Sequence, residues 1–301
     1  MRIILTFLKI MLFIVLGGVC VLTGLYIAAP DGSEYLTKNP TTTALMERRN
    51  DEYKKKSEKF ETLWQWVPLR AVSPHLLRAV ILAEDARFYQ HTGYDLEALR
   101  YAWEKNLKRK KYAVGGSTIT QQLAKNLYLS PKKSILRKVR EFIIAIKMER
   151  QLPKRRILEL YVNVIELGRG IYGVEAGSRH YFGKSATYLT LTEASRLAAI
   201  IPSPRRHSPY DGSRFTETRH AHLLRWLYKT GNIDSSSFQN LLLTDSGDIY
   251  ALLDSVVVDS LRDQLLNNSE HNEETVESES DFYLPDDQSK ASFPAVTDTM
   301  K

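Results

Sequence analysis

Cysteine is nearly absent from this chain of 301 residues, since Cys20 is its one thiol. A single cysteine cannot form an intramolecular disulfide framework or a cysteine-based metal site, so both are excluded. Lipid attachment at Cys20 is disfavoured, because Val19 is large for the position before a lipidated cysteine and the apolar stretch continues beyond it. We therefore expect a thiol that lies within a membrane.

The chain also lacks the alternating apolar and polar runs that would indicate strands, and it has no internal repeat. Apolar residues at helical spacing are instead dense between residues 70 and 210. We therefore predict a mainly α domain. The helix start signals are Ser73-Pro74, Asp95, Ser130-Pro131, Pro153 and a capping box of Thr190 and Glu193.

Charged residues are missing from residues 10–29, and about 20 residues at 1.5 Å each span a ~30 Å hydrocarbon core. The flanking charges are Arg2 and Lys9 before the run and Asp31 and Glu34 after it. This asymmetry predicts a cytoplasmic N-terminus with the remaining chain outside. A cleavable signal peptide is the alternative; it is disfavoured because the apolar run is long and Ile27-Ala28-Ala29 is a poor cleavage site.

Five segments follow from these features. The predicted order is a cytoplasmic N-terminus at 1–9, a transmembrane signal anchor at 10–29, a spacer at 30–66, a main domain with C-terminal helices at 67–243, and an acidic tail at 244–301. The composition of the tail predicts disorder, and a partner-binding tail is the alternative.

Positive charge is concentrated in the main domain. Residues 70–206 contain 26 Lys or Arg and 11 Asp or Glu, a net charge of +15, while the rest of the chain carries −8. Such a field favours an anionic partner, namely phosphate esters, anionic lipid or nucleic acid. A solvated basic surface is the alternative.

Glu84 shares the helical face of Val80, Ile81 and Phe88. An apolar environment disfavours the charged form, so we expect a raised pKa for Glu84, which suits a general acid or base. A carboxylate at a helix end that reaches water is the alternative. Asp85 is adjacent and could orient or compete with Glu84.

His91 follows without a second histidine or cysteine at metal-ligand spacing, so no protein metal site is predicted. A structural role at a helix end, bonded to a backbone carbonyl, is more common for such a histidine than catalysis. Further along, two glycines precede Ser117 and Thr118, either of which can cap the next helix and form an anion-binding cradle. An ordinary capped loop is the alternative, and the stretch is not a Walker loop.

Arg137 and Lys138 lie four and three residues before Glu141, so all three can meet on one helix flank. These cations favour the ionised form of Glu141 and, with Lys125, could bind a diphosphate. A surface ion pair worth less than ~1 kcal/mol is the alternative.

Residues 99–112 mix aromatic side chains with Lys and Arg, which suits the headgroup region of a membrane. A nucleic-acid surface is the competing interpretation, and the predicted outward topology disfavours it.

Together these segments resemble the peptidoglycan glycosyltransferase family, over about residues 70–210 and in the family's order. Two mild departures are Val162, where leucine is usual, and Gly177, where alanine is common. The resembling segments are Glu84-Asp85-Ala86-Arg87-Phe88 with His91 and Gly93; Gly115 to Gln122 with Lys125-Asn126; Arg137-Lys138 with Glu141; Lys154, Ile157-Leu158-Glu159, Tyr161 and Asn163; and Gly170, Gly173, Ala176 and Tyr181-Phe182-Gly183-Lys184.

The resemblance implies a lysozyme-like helical head with a smaller membrane-associated jaw. It implies polymerisation of lipid II into β-1,4-linked strands by an inverting reaction that releases undecaprenyl diphosphate, assisted in many relatives by a divalent cation, Mg²⁺ or Mn²⁺. Glu84 would be the general base, and Glu141 would lie with the cations at the diphosphate. The implied substrate-binding residues are Asp85, Phe88, His91, Ser117, Thr118, Gln121, Lys125, Asn126, Arg137 and Lys138.

The expected partners are lipid II, the growing glycan strand, membrane lipid and other cell-wall synthesis and division proteins, but not nucleic acid. A lysozyme-like hydrolase or lytic transglycosylase and a non-catalytic scaffold are the alternatives. Two fragments imitate transpeptidase motifs, Ser130-Pro131-Lys132-Lys133 and Lys229-Thr230-Gly231. We reject them because the intervening Ser-x-Asn element is missing and fewer than a hundred residues follow Tyr210.

Overall fold

The computed structural model describes residues 2–56, 61–109, 115–130, 134–231 and 233. Helices dominate these residues, which confirms the prediction of a mainly α chain. The acidic tail, Lys132 and Lys133 lie outside the described residues. The helices are α1 Arg2–Ile27, α2 Ala44–Lys55, α3 Pro74–Glu84, α4 Leu96–Arg109, α5 Ile119–Tyr128, α6 Ile135–Gln151, α7 Lys154–Val164, α8 Val174–Phe182, α9 Leu191–Ala199 and α10 Arg214–Lys229.

A small sheet was not expected from the sequence. Its strands are β1 Leu63–Trp64, β2 Glu166–Gly168 and β3 Ile171–Tyr172, in the order β1-β3-β2. Strand β3 pairs parallel with β1 and antiparallel with β2. Two or three residues are too few for an alternating pattern to be visible, so these strands could not be predicted from the sequence.

Four predicted helix starts are confirmed, and one of them is Pro153, the N-cap residue of α7. Helix α3 begins at Pro74 after Ser73, although the Ser73 hydroxyl donates to the Leu189 carbonyl instead of accepting from α3. Asp95 accepts from the backbone N–H of Ala98 at 3.0 Å and caps α4. The capping box of Thr190 and Glu193 is present at the start of α9.

The predicted start of the long helix at Ser130-Pro131 is wrong. Helix α6 begins at Ile135, and the hydroxyl of Ser134 accepts from the backbone N–H of Arg137 at 3.1 Å. Serine at the N-cap satisfies one of the backbone N–H groups that have no partner within the helix. Two serines lie close together before this helix, and the later one is the cap.

The chain divides into two compact units, each built from separate stretches of sequence. The first comprises Met1–Thr62, Tyr89–Tyr94 and Ser117–Ile165; the second comprises Leu63–Phe88, Asp95–Gly116 and the described chain from Glu166 onward. In the first unit, α5 packs on α6, α7 and α2. Helix α2 buries Met46 and Tyr53, so part of the predicted spacer belongs to this packed unit.

In the second unit, α3 packs against α9 and α10, and α8 packs on the sheet. The departure at Gly177 has a physical reason here. A Cβ atom at this position would lie 2.7 Å from Cδ1 of Leu167, so an alanine would require that side chain to shift. Glycine therefore permits the close packing of α8 on β2.

Helix α1 is long and apolar enough to cross a membrane, with a mean hydropathy of 2.6 over its 18-residue window and no residue buried inside the protein. At 1.5 Å per residue its length is about 39 Å, more than a hydrocarbon core of ~30 Å requires. The helix therefore fits a single-pass anchor.

Candidate functional site

Glu84, Asp85 and Phe88 lie in the second unit, at the end of α3. Glu84 is the last residue of helix α3, yet its side chain is only 8% exposed. The alternative interpretation, a carboxylate that reaches water at the helix end, is therefore wrong. Nη2 of Arg219, from α10, lies 3.9 Å from Oε1 of Glu84. A shielded carboxylate suits the chemistry of a general base.

Arg219 was not among the site residues predicted from the sequence. It lies on the inner side of α10, next to the fully buried Thr216, His220 and Leu223, and its Nε donates to the carbonyl of Ala199 at 2.9 Å. Burial lowers the pKa of Arg219, and the charge of Glu84 acts in the opposite direction. Arg219 lies three residues after Thr216 and four before Leu223, a helical spacing that could have indicated a cation directed toward the core.

The turn after α3 is held by backbone and core contacts. Asp85 caps α3 through its N–H, which donates to the carbonyl of Ile81, and its own carbonyl accepts from the N–H of Phe88 at 2.9 Å. Phe88 is fully buried. It therefore supports the position of this turn from the core, and it offers no surface to a ligand in this structure.

Thr118 and Gln121 in the first unit form a capping box at the start of α5, in which each side chain accepts from the backbone N–H of the other residue. The Thr118 hydroxyl also donates to the carbonyl of Gly93 at 2.9 Å. Both side chains are buried, so their hydrogen bonds hold the loop and the helix together. The ordinary capped loop describes these two residues better than a free anion-binding cradle does.

His91 accepts a hydrogen bond at Nδ1 from the backbone N–H of Gly93, at 3.2 Å. The predicted structural role therefore has a basis, although the partner is an N–H group and not a carbonyl. Gly93 has a positive φ of 99°, and a Cβ there would lie 3.2 Å from the backbone of Ala145 on α6. Glycine is needed for both reasons.

A cation–carboxylate cluster lies at the first turns of α6; it comprises Arg137, Lys138 and Glu141 of this helix and Ser117 from the segment before α5. Nη1 of Arg137 lies 2.7 Å from Oε2 of Glu141, and Nζ of Lys138 lies 2.5 Å from Oε1. Nζ of Lys138 also donates to the hydroxyl of Ser117 at 2.8 Å. The predicted contact along the helix flank is confirmed.

The surface ion pair proposed as an alternative is wrong for Glu141, whose side chain is 3% exposed. Lys138 is different, because 46% of its side chain remains exposed. Buried charge must be paired, so the two cations fix Glu141. Lys138 in turn keeps an accessible side chain that can meet an anionic ligand.

Lys125 and Asn126 lie on α5, which packs directly against α6. Lys125 is half-buried and Asn126 is buried. Their helix therefore neighbours the helix that carries the cluster, as the predicted shared site requires.

A second polar network in the first unit was not anticipated. Oε1 of Glu149 on α6 accepts from the hydroxyl of Thr120 on α5 at 2.5 Å and from Nζ of Lys154 on α7 at 2.7 Å. The Tyr161 hydroxyl donates to Oε1 of Gln122 at 3.1 Å. These contacts connect α5, α6 and α7, so Lys154 and Tyr161 have a structural role in this unit.

Helix α4 in the second unit exposes large apolar side chains. Trp103 is 69% exposed, and Leu96, Leu99 and Leu107 are exposed as well. Lys105 lies over the ring of Tyr101 on the same helix. The mixture suits contact with a lipid surface, as predicted for residues 99–112, of which 110–112 lie outside the described residues.

Residues 51–227 match the model of the transglycosylase family, which covers more than half of the chain. The chain belongs to this family. Among its curated relatives, a biosynthetic peptidoglycan transglycosylase of Nitrosomonas europaea is 54% identical over 167 residues, which are 56% of this chain and 68% of the relative.

Two further relatives of the transglycosylase family carry the same name. The protein of Nitrosospira multiformis is 48% identical over 178 residues, which are 59% of this chain and 76% of the relative. The protein of Thiobacillus denitrificans is 45% identical over 193 residues, which are 64% of this chain and 83% of the relative. The aligned region of all three is long enough to include a whole catalytic domain.

The described residues contain no group of three His, Cys, Asp or Glu side chains that could hold a metal ion. In the cluster, both oxygens of Glu141 already face cations. These residues do not fit a metal held by the protein alone. Mg²⁺ commonly binds through phosphates of a ligand with few protein ligands, so a divalent cation would depend on phosphate groups that a ligand brings.

Proposed function

We propose that this peptidoglycan glycosyltransferase polymerises lipid II into β-1,4-linked glycan strands and releases undecaprenyl diphosphate. The observation that carries the proposal is the cation–carboxylate cluster, in which Glu141 is buried and Lys138 is half-exposed. A departing diphosphate requires positive charge where negative charge develops. Hydrolysis of a glycosidic bond, which has no diphosphate leaving group, does not require it.

In the proposed reaction, Glu84 accepts the proton of the 4-hydroxyl group of the acceptor sugar. The acceptor oxygen then bonds to the anomeric carbon of the growing chain from the face opposite the diphosphate. The bond between that carbon and the diphosphate oxygen breaks, and its electron pair leaves with undecaprenyl diphosphate. The α-linked donor thus becomes a β-1,4 linkage, with the charge of the leaving group balanced by Arg137, Lys138 and Lys125.

The anchor α1 supports a substrate that is itself held in a membrane, because two molecules confined to one bilayer meet at high effective concentration. We propose that the chain after α1 lies outside the plasma membrane. Labelling of an Arg155→Cys variant in a Cys20→Ser background with an impermeant maleimide tests this orientation. Labelling in intact spheroplasts is expected, and labelling only after lysis would contradict it.

We further propose that a divalent cation, Mg²⁺ or Mn²⁺, binds together with the diphosphate. When bound, it would supply further positive charge to the leaving group. Polymerisation assays with and without a chelator measure its contribution.

The decisive experiment incubates the intact protein with lipid II in detergent and separates the products by size. Long β-1,4 glycan strands are expected. A hydrolase or lytic transglycosylase would instead shorten preformed peptidoglycan, and a scaffold would change neither substrate. Either of these two results would overturn the proposal.

A further inference from the structure

Helix α6 contacts the outer end of the membrane anchor, at the opposite end from the cation–carboxylate cluster. Nζ of Lys147 donates to the carbonyl of Ala29 at 2.7 Å, just beyond the end of α1. A cation at this position complements the partial negative charge at the C-terminus of the anchor helix. Nη1 of Arg150 donates to the hydroxyl of Tyr26 at 3.1 Å, and both cations lie within 6 Å of the Tyr26 ring centre.

Gln151 completes the contact with the chain that leaves the membrane. Its amide nitrogen donates to Oδ1 of Asp31 at 2.6 Å, and its amide oxygen accepts from the N–H of Gly32 at 3.0 Å. A Cβ at Gly32 would lie 3.4 Å from Gln151 and from Met148. The backbone of the exit segment therefore packs directly on α6.

The three side chains Lys147, Arg150 and Gln151 are spaced at i, i+3 and i+4, so they share one side of α6. With Tyr26, Ala29, Asp31 and Gly32 they define what we call the anchor contact. We propose that the anchor contact positions the cation–carboxylate cluster at a fixed height above the membrane, where it meets the diphosphate of a membrane-held substrate. This inference rests on the proposed function.

The length of α6 sets the distance between the anchor contact and the cation–carboxylate cluster. Gln151 lies about 15 Å along the helix axis from Glu141, at 1.5 Å per residue. If the anchor were instead joined only by a flexible tether of about 16 residues, from the end of α1 to the start of α2, its mean span would be ~20 Å and would fluctuate by a similar amount. A single rigid helix removes this variation.

The test breaks the contact from each side independently. One variant combines Arg150→Ala with Gln151→Ala on α6, and the other combines Tyr26→Leu with Asp31→Ala on the anchor side. Arg155→Gln, an exposed arginine of α7 in the same unit, is the matched control. Unchanged helical circular dichroism and melting temperature show that the variants fold.

Polymerisation is measured with full-length lipid II in vesicles and with a short-chain lipid II analogue in detergent. We expect both contact variants to lose about tenfold in kcat/KM in vesicles, because small misplacements at a reacting centre reduce rates by such factors. In detergent, where no bilayer fixes the height, their rates should match that of the unmodified protein. An equal loss in both media, or none in vesicles, would overturn the proposal.

A readout without activity separates this inference from the proposed function. A fluorophore on Arg140→Cys, an exposed position of α6, in a Cys20→Ser background reports its distance to acceptor dyes on the bilayer surface. A narrow distribution of transfer efficiency is expected for the intact contact and a broad one for both contact variants. Equal distributions would refute the positioning role, whereas absence of polymer from unmodified protein would refute only the proposed function.

Discussion

Two carboxylates of the molecule occupy opposite electrostatic situations. Glu141 in the first unit is nearly inaccessible, with cations at 2.7 and 2.5 Å from its two oxygens. Glu84 in the second unit is also shielded, but Arg219 lies 3.9 Å away, beyond hydrogen-bond distance. The two short ion pairs of Glu141 hold its carboxylate in place, whereas the contact between Glu84 and Arg219 is longer. The comparison predicts a structural carboxylate at Glu141 and a general base at Glu84.

The largest effect is expected from Glu84→Gln. The amide keeps the size of the side chain but cannot accept the proton, so the rate of lipid II polymerisation should fall by about 100- to 10 000-fold. The free energy of unfolding should change little. The matched control is Glu104→Gln, an exposed carboxylate of α4 that pairs with Arg100. A Glu84→Gln protein with normal activity would remove Glu84 from the mechanism.

Glu141→Ala should instead reduce stability and activity together. It leaves Arg137 partly buried without its carboxylate, which should lower the free energy of unfolding by up to ~3 kcal/mol. Denaturant unfolding of both variants measures the contrast. If Glu84→Gln proved as destabilising as Glu141→Ala, the distinction between a catalytic and a structural carboxylate would fail.

Lys138→Gln tests the role of a cation in the cation–carboxylate cluster. The variant loses the positive charge of a half-exposed side chain that is proposed to meet the diphosphate. We expect kcat/KM to fall by about 10- to 100-fold, since one charged donor to a leaving group contributes on this scale. Arg100→Gln removes a cation from an exposed pair on α4 and serves as control. Equal kinetics for the two variants would contradict a role for Lys138 at the diphosphate.

The smallest effect is expected from Arg219→Gln and concerns pH. A nearby cation favours the ionised form of Glu84, so its removal should raise the pKa of that carboxyl group. Less of the base is then ionised at a given pH, and the acidic limb of the kcat/KM profile should move to higher pH by about one unit or less. Arg219→Lys should restore part of the shift. An unmoved acidic limb would show that Arg219 does not tune Glu84.

The sequence predicted those features that depend on neighbouring residues in the chain. The spacing of Arg137, Lys138 and Glu141 located their contact, and Ser73-Pro74 and Asp95 located two helix starts. Helical periodicity placed Glu84 on an apolar face. All of these features involve residues within one or two helical turns.

What the sequence did not predict depends on residues far apart in the chain. Arg219 is 135 positions from Glu84, and Ser117 reaches Lys138 from another segment. Strands β1 to β3 hold their places through pairing between distant segments and are too short to show a pattern. The exit segment after α1 looked like a spacer because its contacts with Gln151 lie 119 and 120 positions away.

The interleaving of the two units has a consequence for synthesis. The last stretch of the first unit ends at Ile165, so no shorter N-terminal fragment contains that unit in full. Chains emerge from the ribosome N-terminus first, at about 5–20 residues per second. Helix α1, which fits a membrane anchor, is therefore synthesised several seconds before α6 exists to pack on it. Truncations and fusions that end before residue 165 should yield an inserted anchor joined to an incomplete domain.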